Sequence, residues 1–324
     1  MILNYNNMKG YMMTINVALD IGYGDVKCKI GDQVFKFDSA ICYAKNSYTN
    51  VGNQDIYEFE GKKYLVGNDA LSEAFSTRDY LFIEKYAPLF IFKALKMAGV
   101  DLNSRIHLIT GLSLVDWNTK KEQFADRIKS FYINDTMIKL NVTLVPQGQG
   151  IFTYYADKNP ESMTQKIIID DIGYNTHDRL VFDSGVPNSL ESYATSTGAN
   201  KIVTEIQTLL SSQYNLDFPE QEVKQYILKK FVTIGGQKRD ISQLINEEVE
   251  KYFEFYMNEA RGKKKSLMAR ADAIIIAGGT AYYLDNKALS FPENVKFMSG
   301  EKHEYLNVYG YWIELDNATN KLEV

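Results

Sequence analysis

Apolar residues in this chain form two alternating patterns. Short aliphatic runs bounded by charge or glycine read as strands, and longer stretches with apolar positions three and four apart read as helices. The clearest run is Ile167 to Ile169, between Lys166 and the pair Asp170-Asp171, which suits a central strand buried on both faces. In the first half, residues 15–27 (INVALDIGYGDVK) carry a strand into a turn, Val26 to Ile30 pairs back, and Gly31-Asp32 turns into a third strand at Val34 to Phe37. Asn46 to Asp55 is polar and rich in turn formers, so a surface loop is expected. Lys63 to Val66 reads as a strand, and Pro88 is expected to open a helix over Leu89 to Ala98 that Gly99 stops. Strands at Ile106 to Ile109 and Leu140 to Val145 flank an amphipathic helix, Asn118 to Ser130, with Phe124 and Ile128 on its apolar side. A helix near Gly150 to Ala156 closes this half, and Pro160 marks a boundary.

The second half restarts at Lys166 with a hairpin partner at Arg179 to Phe182. Helices are expected at Ala199 to Leu210, just after Gly198, from Pro219 onward, and over the acid-rich Ile241 to Ala260. The basic run Arg261 to Lys265 reads as a solvated helix end. A buried strand follows at Ala273 to Ile276 and a last strand at Val295 to Met298, and a helix is expected to start at Tyr305 to Tyr309. The pattern predicts an α/β protein of two domains.

One tetrapeptide occurs at the same place in both halves. Asp20-Ile21-Gly22-Tyr23 and Asp171-Ile172-Gly173-Tyr174 each end an apolar strand. Asp-Gly turns are common between strands, so either copy alone would signify little; the matched placement suggests a duplicated unit. Each copy puts a carboxylate at a strand's carboxyl end and a glycine where the backbone can turn its N–H groups toward a ligand. The following residues, Gly24 and Asn175, are the two types that best tolerate a left-handed backbone. Thr176 and Asp178 add a hydroxyl and a second acid. Such donors suit phosphate oxygens, and such carboxylates suit the water shell of magnesium.

Composition narrows the partners. A net charge of −5 argues against a protein that coats nucleic acid directly, so any DNA connection would run through a partner. The two cysteines, Cys28 and Cys42, sit near expected strands, which favours buried thiols in a reduced, cytoplasmic setting over a disulfide framework. Three scattered histidines give a zinc site no support. The leading MILNYNNMKGYMM has no signal-peptide layout, no apolar stretch is long enough to span a bilayer, and the polar ELDNATNKLEV is no amphipathic anchor, so no membrane partner is expected.

Four strand ends now carry candidate chemistry: Asp20 to Lys27, Val145 to Gly150, Asp171 to Asp178 and Gly278 to Thr280. In open α/β sheets ligands collect at such ends. The set and its order resemble the actin-like ATPase superfamily, which includes actins, sugar kinases and DnaK-type chaperones. The resemblance implies two duplicated actin/ribonuclease-H-like domains with a nucleotide cleft between them. The first would span 1–160, with 305–324 returning to it, and the second 161–304. It also implies ATP as ligand, with GTP as the alternative, and Mg2+ held through water by Asp20 and Asp171. The first phosphate loop would use Gly22, Tyr23, Gly24, Asp25 and Lys27, and the second Gly173, Tyr174, Asn175 and Thr176. Gly198, Gly278, Gly279 and Thr280 would form the adenosine pocket. Gln147 would orient the attacking water and, with Asp171, carry the catalysis.

Tyr174-Asn175 stands where the superfamily usually carries glycine, and His177 replaces a small hydroxyl residue; a lone histidine on a strand reads as structural. Within the superfamily the chain is most similar to ParM-like bacterial actins, through Tyr64-Leu65-Val66-Gly67 and through Ile109-Thr110-Gly111-Leu112-Ser113, where Ser113 replaces a proline. That similarity implies an ATPase that polymerises head-to-tail and segregates plasmid DNA through a DNA-bound adaptor. The alternative is a non-polymerising ATPase, a sugar-kinase-like enzyme or a nucleotide sensor.

Overall fold

The computed structural model describes residues 14–45, 54–77, 79–262, 265–284, 291–298 and 303–322. The strand that ends in the first Asp-Ile-Gly-Tyr lies in the middle of a sheet, as its buried flanks require. β1 (Thr14–Ile21), β2 (Asp25–Ile30) and β3 (Gln33–Asp38) form an antiparallel meander. β4 (Ile41–Tyr43), β5 (Tyr57–Phe59) and β6 (Lys62–Val66) make a small separate sheet in the order β4-β6-β5. Helix α1 (Tyr80–Met97) leads to β7 (Arg105–Leu112), and α2 (Leu114–Lys129) leads to the hairpin β8 (Ser130–Ile133) and β9 (Thr136–Pro146). β7 and β9 extend the meander in parallel, giving the order β3-β2-β1-β7-β9-β8. Helix α3 (Gln149–Lys158) follows.

The second half repeats the plan. β10 (Lys166–Ile172), β11 (His177–Asp183) and β12 (Val186–Pro187) form a meander, and β13 (Tyr193–Thr195) also pairs with β11. Helices α4 (Asn200–Tyr214) and α5 (Glu220–Lys229), a hairpin of β14 (Phe231–Ile234) and β15 (Gln237–Asp240), α6 (Ser242–Arg261) and α7 (Lys265–Ala269) come next. β16 (Ala273–Ala277) and, after the short α8 (Ala281–Leu284), β17 (Val295–Phe297) then add in parallel to β10. The order β12-β11-β10-β16-β17 matches β3-β2-β1-β7-β9 strand for strand and direction for direction. The duplication seen in four residues is a duplication of whole sheets.

The last helix, α9 (Leu306–Leu322), packs on β1, β2 and β7 of the first sheet. Val308, Tyr311 and Leu315 meet Ala18, Ile109 and Val145 there. Two glycines set how closely it also approaches α3. A Cβ on Gly310 would stand 1.8 Å from the carbonyl oxygen of Gly150, so the helix backbones touch where they cross.

Several local expectations change. Pro88 does not open a helix but sits inside α1, which starts at Tyr80 under an Asp79 cap whose carboxylate accepts from the Phe82 N–H at 3.0 Å. Proline cannot donate to the carbonyl four residues back, that of Glu84. Arg127 of α2 supplies the missing donor, its Nε at 3.3 Å from that oxygen and its Nη2 at 3.0 Å from the Lys85 oxygen. Burial of Phe82, Ile83, Tyr86 and Phe90 along one side holds the helix together across the proline. α2 begins earlier than expected because Ser113 caps it. The β14–β15 hairpin adds an element that the hydrophobic pattern does not predict, and Gly235-Gly236, both at positive φ, is the turn such a hairpin uses. Most of the expected loop at Asn46 to Asp55 and part of the basic run, Lys263 and Lys264, lie outside the described residues. Cys28 and Cys42 are buried and unbridged.

Candidate functional site

The two Asp-Ile-Gly-Tyr turns face each other. A Cβ on Gly24 would touch the Tyr174 side chain at 3.3 Å, so the first turn lies directly against the second. Between the sheets is a cavity of about 510 Å³. Its lining includes Asp20, Gly22, Tyr23, Gly24, Asp25, Lys27 and Gln147 from the first half, and Asp171, Gly173, Tyr174, Thr176, Gly278, Gly279 and Thr280 from the second. Two expected residues stand outside it. Asn175 is buried and its Nδ2 donates to the Thr77 carbonyl at 2.7 Å, tying the second turn to the chain ahead of α1. Gly198 lies behind the second turn, where a Cβ would collide with the Tyr174 and Gly173 carbonyls at 2.3 and 2.4 Å. It lets the start of α4 close on that turn, with the Ala199 N–H donating to Gly173 and the Asn200 N–H to Tyr174.

Asp20 and Asp171 occupy equivalent registers, opposite Lys27 and Asp178 respectively. Asp20 Oδ2 lies 3.7 Å from Lys27 Nζ, and its Oδ1 accepts from Gln147 Nε2 at 3.2 Å. Asp171 Oδ2 accepts from Asn307 Nδ2 at 2.7 Å, while Asn307 Oδ1 accepts from the Gly148 N–H at 3.1 Å. Burial raises the proton affinity of Asp20, with Lys27 opposing it. Burial, then the charges of Asp20 and Asp178, push Asp171 up to about 7. Burial works against the charge on Lys27, but Asp20 and its acidic neighbours outweigh this and keep the ammonium above its usual range. Gly278 takes φ +91°, where its backbone passes over the Ile172 carbonyl and the Asp171 carboxylate; a Cβ would meet them at 2.5 and 2.7 Å. Thr280 braces the second turn, its Oγ1 donating to the Gly173 carbonyl at 2.7 Å.

The other polar residues of this hairpin have structural partners. Asp178 Oδ1 accepts from Ser113 Oγ and from the Leu114 N–H, both at 2.7 Å, so it caps α2 from the other half of the chain. Ser113 thus serves both as the cap of α2 and as a donor to the second half of the chain. His177, one residue earlier, points to the opposite face, and its Nε2 lies 3.1 Å from Asp170 Oδ1. Asp170 also accepts from Arg179 Nε at 2.5 Å, Arg179 Nη2 at 2.6 Å and Tyr256 Oη at 2.6 Å. Strand alternation thus sends Asp170 into a buried charged network and Asp171 into the cleft. Gln149 is turned away from the cleft by Glu314, which accepts from its Nε2 at 3.1 Å.

The sequence reading missed Asn307, Lys224, Lys36 and Glu304, all on the cavity wall. Lys224 of α5 reaches across to the Gly24 carbonyl at 3.4 Å over the Tyr174 ring. Burial lowers its proton affinity, against the pull of Asp25 and Asp38. Lys36 pairs with Glu304 at 2.7 Å. The available signal for Asn307 was a lone amide in the apolar LNVYGYW.

Two family models match the chain: the N-terminal domain of actin-like proteins over residues 18–150, and the C-terminal domain of the archaeal actin homologue MreB-like family over residues 168–289. No curated protein sequence matches it. Among solved structures, a 15-stranded ParM filament from Clostridium botulinum is similar with a TM-score of 0.79 and 22% identity, over 94% of this chain and 100% of that one. Ta0583, an archaeal actin homologue in complex with ADP, has a TM-score of 0.75 and 16% identity, over 94% of this chain and 99% of that one. The Alp12 filament structure has a TM-score of 0.62 and 19% identity, over 94% and 99%. Among the described residues no helix is long and apolar enough to cross a membrane. Two duplicated sheets with paired Asp-Ile-Gly-Tyr turns across a cleft, and family models matched in both halves, place this chain in the actin-like superfamily.

Proposed function

We propose that this protein binds and hydrolyses ATP with magnesium in the cleft, and that nucleotide drives its head-to-tail assembly into cytoplasmic filaments that move plasmid DNA through a DNA-bound adaptor. The observation that carries the nucleotide reading is the pair of turns meeting at Gly24 and Tyr174, each entered from a strand whose end carries a buried carboxylate beside one cavity. The domains of this reading are 1–160 with 305–324, and 161–304. The donor set fits magnesium: Asp20 and Asp171 both resist ionisation, and a divalent cation relieves that. Bound there, magnesium supplies charge neutralisation at the phosphate oxygens.

Lys27 adds a positive charge beside Asp20. The N–H groups of Gly22 and Gly173 close their own turns, onto the Asp25 and Thr176 carbonyls at 3.2 and 2.9 Å, so phosphate contact falls to the amides that follow them. Gln147, directly after β9 and on the cavity wall, orients water for attack. Gly278 and Gly279 let the backbone approach the nucleoside. GTP is the competing nucleotide. The ADP-bound archaeal homologue and the ParM filament support nucleotide binding and self-association.

The test is phosphate release together with sedimentation after addition of magnesium and ATP. Hydrolysis with nucleotide-dependent pelleting is expected. A protein that hydrolyses ATP yet stays monomeric at high concentration is a non-polymerising ATPase instead. Fluorescence anisotropy with DNA at moderate salt should show little binding, as the −5 charge requires, and tight binding would remove the need for an adaptor.

A further inference from the structure

One face of α9 is built onto the floor of the cleft. Asn307, Gly310, Tyr311 and Glu314 follow at helical spacing. Asn307 holds Asp171 and the Gly148 N–H, and Glu314 accepts from Gln149 and from Thr153 Oγ1, the latter at 2.8 Å. Tyr311, between them, is 0% exposed, and its hydroxyl has no hydrogen-bond partner among the described residues. It stands over Gly111 at the end of β7. The point where a Cβ on Gly111 would stand is 2.1 Å from Tyr311 Oη and 2.9 Å from Gln147 Cγ. The hydroxyl and the glutamine side chain can therefore be no farther apart than those two distances together.

A buried hydroxyl without a partner destabilises the state that contains it, and phenylalanine would fill the same space without that cost. The hydroxyl makes sense if a partner reaches it in another state. Gln147 is the neighbour whose present contact is open to competition, because its Nε2 donates to Asp20 Oδ1. Waters of a cation held by Asp20 would take that oxygen and leave the amide without its acceptor. Tyr311 Oη, both donor and acceptor, is then beside it.

We propose that Tyr311 is a positioning residue: its hydroxyl holds the Gln147 amide in the orientation used for hydrolysis once magnesium nucleotide has claimed Asp20. This rests on the ATPase reading of the cleft. The test is Tyr311→Phe, alone and combined with Gln147→Ala. Without ligand, the variant should have a thermal midpoint equal to or above wild type. Calorimetry with a non-hydrolysable ATP analogue should show affinity reduced several-fold with magnesium and unchanged in EDTA. Phosphate release should fall about tenfold, the size of one hydrogen bond of ordinary strength. On a Gln147→Ala background the substitution should add no further loss. The proposal is overturned if an active wild type is matched by Tyr311→Phe in magnesium-dependent affinity and hydrolysis, or if the loss persists undiminished beside Gln147→Ala. A wild type that neither binds nor hydrolyses ATP would overturn the ATPase reading and this proposal with it.

Discussion

The crossing of α3 and α9 can be tested by one methyl group. Gly310→Ala would place a carbon 1.8 Å from the Gly150 oxygen, 2.4 Å from its carbonyl carbon and 2.6 Å from its Cα. Carbon atoms pack at about 3.5–4.0 Å, so α9 must withdraw by well over an ångström. On helix propensity alone the change stabilises by about 1 kcal/mol. Against this, overpacking costs about 1–3 kcal/mol. Withdrawal also breaks the 2.7 Å bond from Asn307 to Asp171. A hydrogen bond to a charged group contributes about 1.5–3 kcal/mol. The balance is a net loss of roughly 1.5–5 kcal/mol, opposite in sign to propensity, or a thermal midpoint lower by about 3 °C or more. Nucleotide affinity should fall with it, since Asp171 and Gly148 both lose Asn307. Gly279→Ala is the control: a Cβ there meets nothing within 4 Å, so stability should be unchanged. Differential scanning fluorimetry and calorimetry read both quantities. A Gly310→Ala protein as stable as wild type, or more so, would refute the claim that this contact sets the position of α9.

Gln147→Ala should leave ATP binding and assembly intact while hydrolysis falls by a factor on the order of 10², so that filaments outlast those of wild type; ordinary phosphate release would remove Gln147 from the mechanism. Asp171 is raised to about 7, so it carries a proton below that pH and cannot help hold a cation. Magnesium-nucleotide affinity, followed by calorimetry, should therefore rise as pH passes upward through about 7, and Asp171→Asn should be weak and flat across that range. By the same linkage, the stability this carboxyl contributes without ligand is full below its unfolded value of 3.8 and is lost as pH rises through about 7. Arg179→Met would strand the buried Asp170 carboxylate at a cost of about 3–5 kcal/mol, and an unfolding midpoint within a degree of wild type would show that His177 and Tyr256 suffice.

What the sequence determined by itself was local and periodic. The buried strands at Ile167 to Ile169 and Ala273 to Ile276, the turns after Asp20 and Asp171, and the duplication joining them follow from side-chain alternation and from where charge and glycine interrupt it. The superfamily was legible for the same reason, because its signature is a set of such strand ends in fixed order. Tertiary structure decided which polar residues reach the cleft. Asn307 meets Asp171 across 136 positions of chain, and Asp178 leaves the cleft to cap α2 across 65. No period in the sequence encodes a hydrogen bond between distant elements. Inside α1, the carbonyl that Pro88 leaves without a donor is met by Arg127, 43 positions from Glu84, while the buried side of the helix holds it together across the proline. A local pattern records the face a residue presents, but its partner is set by the packing of sheets and helices around it, and here that packing turns on backbone contacts at Gly150 and Gly310.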